Sequence, residues 1–192
     1  EAFRQGIRLD PTNSKIYGNR TNTLRALNEL NDAMSVSQQA VHINPDQATN
    51  YISLGNVFLD LKNLEKAEDN FNAAATLEPN NTEAADQLGW VFLLSDRPLE
   101  AEKSFRRAIA LNPNWSIPYK HLGILLHSTG NLASSISYLK KAKELDPNSH
   151  ELQFELAFLT AKLQFKGNDQ DLSTQNVCNL VVVFIRSASS WF

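Results

Sequence analysis

At 192 residues, with 42% hydrophobic and 20% charged residues and a net charge of −3, the chain has the balance of a soluble protein that buries a core. No stretch is basic enough to neutralise a phosphate backbone, so no nucleic-acid partner is expected. No apolar run is long enough to span a membrane, so none is expected there either. The single cysteine, Cys178, cannot form an internal disulfide and fits a reducing compartment, which favours a cytoplasmic location.

The opening "EAFRQGIRL" reads as the middle of a helix, so residues 1–13 are expected to be the last helix of a truncated unit and the chain a piece of a longer one. They end in "LDPTN" (9–13), and the phrase returns as "INPDQ" (43–47), "LEPNN" (77–81), "LNPNW" (111–115) and "LDPNS" (145–149). The prolines at 11, 45, 79, 113 and 147 are each 34 residues apart, the mark of a repeat array.

The next unit, 14–47, keeps Tyr17, Leu24, Ala33, Ala40 and Pro45 but places Arg20, Thr21 and Ser37 where later units have Leu, Gly and an aromatic residue. It is the degenerate unit, and in a linear array the poorest unit is expected to open first.

Unit 48–81 shows the pattern in full. Tyr51, Leu54, Phe58 and Leu61 follow three-and-four spacing, which makes one helical stripe. A polar break at Lys62-Asn63 precedes a second stripe of Leu64, Ala67, Phe71, Ala74 and Leu77, and Glu78-Pro79-Asn80-Asn81 stops it. Each unit is therefore a helical hairpin. Gly55 sits inside the first helix, where glycine costs about 1 kcal/mol against alanine. It recurs as Gly89 and Gly123, and small residues facing small residues let two backbones approach closely. Units 82–115 and 116–149 repeat the scheme, with Pro98 and Pro118 near helix starts, where a missing N–H costs little. Residues 150–165 begin another first helix.

Beyond Phe165 the pattern fails. The tail 166–192 contains the strand-like run Val181-Val182-Val183-Phe184-Ile185. It reads either as a cap over the last hydrophobic face or as a segment foreign to the fold.

The positions Tyr51, Leu54, Gly55, Phe58, Ala67, Phe71, Ala74 and Pro79, with their counterparts 34 and 68 residues on, resemble the tetratricopeptide repeat. The resemblance covers residues 1 to about 164. It implies an all-α fold, a right-handed superhelical solenoid of antiparallel helix pairs with a 34-residue repeat. It also implies a concave face lined by the first helix of each pair and a non-catalytic role in binding a protein or peptide segment. The alternative is the substrate-recognition arm of a larger enzyme, such as a glycosyltransferase, whose catalytic domain is absent from this chain.

Following the family's geometry, the concave face is expected to carry Lys15, Asn19, Asn22 and Arg25, then Thr49, Ser53, Asn56 and Asp60, then Glu83, Gln87, Trp90 and Leu94. Lys120, His121, Ile124 and His127 follow, and last Phe154, Glu155 and Phe158. Of these, Asn19, Asn22, Arg25, Ser53, Asn56, Gln87, Trp90, Lys120, His121, Ile124 and Phe158 are the candidate binding residues, with Trp90, Ile124 and Phe158 as aromatic or apolar anchors in one column. The cationic clamp with which some family members grip chaperone C-termini needs Lys and Arg at positions where no register here supplies them. The column Asn19, Ser53, Gln87, His121, Glu155 stays polar, as the asparagine ladder of O-linked N-acetylglucosamine transferase does, but only its first member is Asn.

Catalysis has little support. His42, His121, His127 and His150 form no i, i+4 pair of metal ligands, Cys178 has no basic neighbour, and no Gly-rich phosphate loop occurs. No cofactor is expected.

Overall fold

The computed structural model describes residues 13–165; the truncated helix expected in residues 1–12 and the tail 166–192 lie outside them. Every regular element among the described residues is an α-helix, as the periodicity predicts. The chain divides into two compact units, 1–111 and 112–192. The first holds α1 (Ser14–Ala26), α2 (Leu30–Ile43), α3 (Ala48–Asp60), α4 (Leu64–Leu77), α5 (Thr82–Leu94) and α6 (Pro98–Leu111). The second holds α7 (Ser116–Ser128), α8 (Leu132–Leu145) and α9 (His150–Phe165).

Two kinds of turn alternate. Between hairpins the repeated proline is the second residue of a tight turn: the carbonyls of Asn44, Glu78, Asn112 and Asp146 accept from the N–H groups of Gln47, Asn81, Trp115 and Ser149. Proline presets the backbone angle that this position needs. Within hairpins the first helix ends on a left-handed residue, at Asn28, Lys62, Asp96 and Gly130, with φ of 59°, 60°, 56° and 84°. The next N–H in each case reaches back to a carbonyl five residues earlier, as Asn63 does to Phe58 at 2.9 Å and Arg97 to Phe92 at 2.8 Å. This double closure satisfies carbonyls that a helix end would otherwise orphan. Asn13, Asn63, Asn81 and Asn131 start helices by accepting a backbone N–H two or three residues on, as at Asn81 with Ala84 at 2.9 Å.

The hairpins close around the glycines. A Cβ at Gly55 would lie 2.6 Å from Cε1 of Phe71, and one at Gly89 would lie 2.6 Å from Cδ1 and Cε1 of Phe105. In the second unit Gly123 faces Leu139, whose Cγ would stand 2.7 Å from such a Cβ, and the hydroxyl of Ser135 donates to the Gly123 carbonyl at 2.7 Å. Phe71, Phe105 and Leu139 are wholly buried.

The first helix of a hairpin is buried more widely than a single stripe predicts. On α3, Asn50, Ile52, Asn56 and Val57 are buried along with Leu54 and Phe58. The cause is packing on more than one side: α3 meets α4, α2 and α1. Buried Asn50 tolerates this because its amide donates to the carbonyls of Ala40 at 2.9 Å and Asn44 at 3.0 Å, tying α3 to the end of α2.

The first hairpin is built on an inverted fit. Thr21 and Ser37 occupy the registers of Gly55 and Phe71 and are both fully buried. A larger residue on the first helix thus matches a smaller one on the second, and the Ser37 hydroxyl donates to the carbonyls of Ala33 and Met34. The exchange leaves a smaller cluster of Tyr17, Val36 and Ala40, whereas one continuous cluster joins α3, α4 and α5. The hydroxyls of Tyr17 and Thr21 are buried without a hydrogen-bond partner among the described residues, a cost of about 1–3 kcal/mol each. Amides of α1 and α2 are therefore expected to exchange hydrogen faster than those of α5 and α6 in native-state exchange measurements. Equal protection would contradict this ordering.

Candidate functional site

Three first helices of the first unit, α1, α3 and α5, enclose a cleft of about 470 Å³. Its lining residues are Asn22 and Arg25 from α1, Thr49, Ile52, Ser53 and Asn56 from α3, and Glu83 and Gln87 from α5. Helical spacing of three and four brings these residues to one side of each helix. Ile52 and Asn56 are buried and form the floor, Arg25, Ser53 and Gln87 are half-buried, and Asn22, Thr49 and Glu83 stand exposed at the rim.

The lining is polar but unequally engaged. Arg25 holds Asp60 of α3 through Nε to Oδ2 at 2.6 Å and Nη2 to Oδ1 at 3.4 Å, and its Nη1 donates to Oδ1 of Asn22 at 3.3 Å. The Ser53 hydroxyl donates to the Thr49 carbonyl at 2.9 Å, and its oxygen can still accept a hydrogen bond. Glu83 makes no hydrogen bond or ion pair among the described residues. Loss of water around it, reinforced by the charge of buried Asp86 and opposed by Arg25, pushes its carboxyl above the usual range.

That direction has a consequence for stability. Glu83 binds its proton more tightly in the folded chain than in the unfolded one. Folding is therefore weakened as pH rises from the ordinary carboxyl value through the raised folded value. Glu83→Gln is expected to raise the melting temperature slightly at pH 7, with the gain vanishing below the ordinary carboxyl range. Thermal denaturation at both pH values checks this, and a lower melting temperature at pH 7 would contradict it.

Five of the candidate residues, Asn22, Arg25, Ser53, Asn56 and Gln87, thus share one cleft. Asn19, one turn earlier on α1, is exposed outside it, its carbonyl accepting from the Thr23 hydroxyl at 2.9 Å. Trp90, on α5 after Gln87, is half-buried and does not line it. Asn56 is also more buried than an exposed groove residue would be, for the packing reason given above.

The remaining candidates belong to the second unit. Lys120, His121 and Ile124 on α7 and Phe158 on α9 are all half-buried. Lys120 pairs with Glu151 of α9 at 3.2 Å, and Lys162 of α9 lies 3.3 Å from Nε2 of His127. Burial, with the Lys162 charge, holds the His127 pKa down. Burial, then the Glu151 charge, pushes Glu155 up against the opposing pull of Lys120. Trp115 is the N-cap of α7, half-buried and without a side-chain capping bond.

Among the described residues no three of His, Cys, Asp and Glu gather as metal ligands, and no helix is long and apolar enough to cross a membrane.

Sequence models of the tetratricopeptide repeat match residues 52–114 and 119–149. The chain is a tetratricopeptide-repeat protein. A search of curated proteins by sequence finds no significant match. Among solved structures, this tetratricopeptide-repeat chain is similar to TTC0263 of Thermus thermophilus, with a TM-score of 0.76 and 22% identity over 82% of this chain and 87% of that one. It is similar to PilF of Pseudomonas aeruginosa, with a TM-score of 0.75 and 18% identity over 93% and 88%. It is also similar to YrrB, described as a tetratricopeptide-repeat protein with an unusual peptide-binding site, at a TM-score of 0.61 and 25% identity over 94% and 89%.

Proposed function

We propose that this tetratricopeptide-repeat protein is a non-catalytic scaffold that holds a protein or peptide segment in the cleft of α1, α3 and α5. The observation that carries the reading is the composition of that cleft. Amide and hydroxyl groups from three successive first helices converge on one space, with Ile52 as its only apolar lining residue among the described residues. Such a surface suits an extended backbone, whose N–H and C=O groups need partners along their whole length, better than a hydrophobic anchor. The peptide-binding site named for YrrB supports the same use of this fold. Lys120, His121, Ile124 and Phe158 are proposed as further contacts in the second unit, and Asn19 and Trp90 as contacts flanking the cleft.

The test is capture of peptides from an immobilised array, compared with the Ser53→Arg and Gln87→Ala variants. Both side chains are half-buried, so the variants are expected to keep wild-type helicity. Ser53→Arg is expected to weaken capture tenfold or more by filling the cleft, and Gln87→Ala severalfold, in line with about 0.5–1.5 kcal/mol for a hydrogen bond. Wild-type capture by both variants would remove the cleft from the function.

A further inference from the structure

Building on that reading, we propose that the cleft selects its segment by a cationic side chain, a lysine or arginine within the peptide, which pairs with Glu83. Among the described residues the cleft contains a single cation, Arg25, and that guanidinium is already committed to Asp60 through two contacts and to Asn22 through a third. Glu83, across the space on α5, has no such partner among the described residues. The charge of Asp86, buried on the same helix, acts on it as well. With Arg25 and Asp60 paired, Glu83 is the one carboxylate among the described residues that line this space of about 470 Å³, and its charge is not matched there.

Glu83 stands exposed at the rim, where the charged head of a lysine or arginine reaches it from a segment whose backbone lies in the cleft. Ser53, Asn56 and Gln87 remain to hydrogen-bond the backbone on either side. An exposed carboxylate with no hydrogen-bond partner gains a charge-assisted hydrogen bond when a cation arrives. An anionic segment would instead meet Glu83 and would have to displace Asp60 from Arg25.

The experiment uses the full chain and immobilised pools of N-acetylated, C-amidated dodecapeptides with random flanks and a central Lys, Arg, Gln or Glu. The Lys and Arg pools are expected to be captured about tenfold better than the Gln pool, the effect of a charge-assisted hydrogen bond. Glu83→Gln is expected to abolish that advantage, and Glu83→Lys to shift preference to the Glu pool. Equal capture of all four pools, or a Lys preference that survives Glu83→Gln, overturns the cation selection while leaving the cleft a docking site. Capture of none of the pools overturns both readings.

Discussion

Phe105→Ala is expected to destabilise the first unit by about 3–5 kcal/mol, the cost of emptying a fully buried aromatic site. Phe105 is wholly buried, as are Ala101 and Ala108 a turn away on the same helix, and its ring lies against the backbone at Gly89. Gly89, against which the ring lies, has no side chain that could fill the space. In an array, the loss falls on one hairpin and on its interface with α4, so α5 and α6 should open first and weaken α4 beside them. Phe105→Leu is expected to cost under about 1.5 kcal/mol, since the substitution nearly conserves volume and Leu139 already fills the matching place against Gly123. Urea denaturation of the two variants checks the pair. A Phe105→Ala protein within about 1 kcal/mol of wild type would mean that the ring does not hold the hairpin together.

The positions that made the fold legible are those whose chemistry repeats as well as their spacing. Proline at each inter-hairpin turn, glycine facing a bulky residue, and alanine in the second helix each answer one steric need, so the same residue type returns. The left-handed turn inside each hairpin recurs just as strictly, at 28, 62, 96 and 130, yet the sequence hides it. Asn, Lys, Asp and Gly all occupy that place. Asn, Asp and Gly adopt left-handed angles most readily, but Lys62 does not belong to that group, and the turn is held by backbone hydrogen bonds, so no single letter marks it. The inverted fit of Thr21 and Ser37 was masked in another way. Read one residue at a time, both look like decay, and only burial of the two together reveals a substitute packing.

The cleft was legible to the extent that it is polar. Asn22, Arg25, Ser53, Asn56 and Gln87 stand out because a hydrophilic residue recurs on one side of successive first helices. Ile52 was missed because an apolar residue on such a helix is read as core, and it is indeed buried while also flooring the cleft. The Arg25–Asp60 pair was missed because its partners are 35 residues apart, one repeat plus one. His127 and Lys162 meet across the same interval. Side chains at that offset on successive first helices reach each other because the helices lie side by side, a fact about packing that a search within single helices does not test.

Gly89→Ala is expected to destabilise the wild-type chain although alanine is the better helix former. The gain in helix propensity is about 1 kcal/mol. Against it, the new Cβ would stand 2.6 Å from Cδ1 and Cε1 and 3.1 Å from Cγ of Phe105, where carbon contacts are comfortable at about 3.5–4.0 Å. The approach involves the root of the ring as well as its edge, and the ring is enclosed, so the two helices must part. Such overpacking costs about 1–3 kcal/mol, which outweighs the propensity gain over most of that range. The diagnostic result is a change of sign. In the Phe105→Ala background the three atoms nearest the new methyl group are gone, and Gly89→Ala should there stabilise the protein by up to about 1 kcal/mol. The first hairpin already embodies this logic, since Thr21 stands in the glycine register where its counterpart is only Ser37. Four urea denaturation curves complete the double-mutant cycle. An equal loss from Gly89→Ala in both backgrounds would show that the glycine serves some need other than room for the ring.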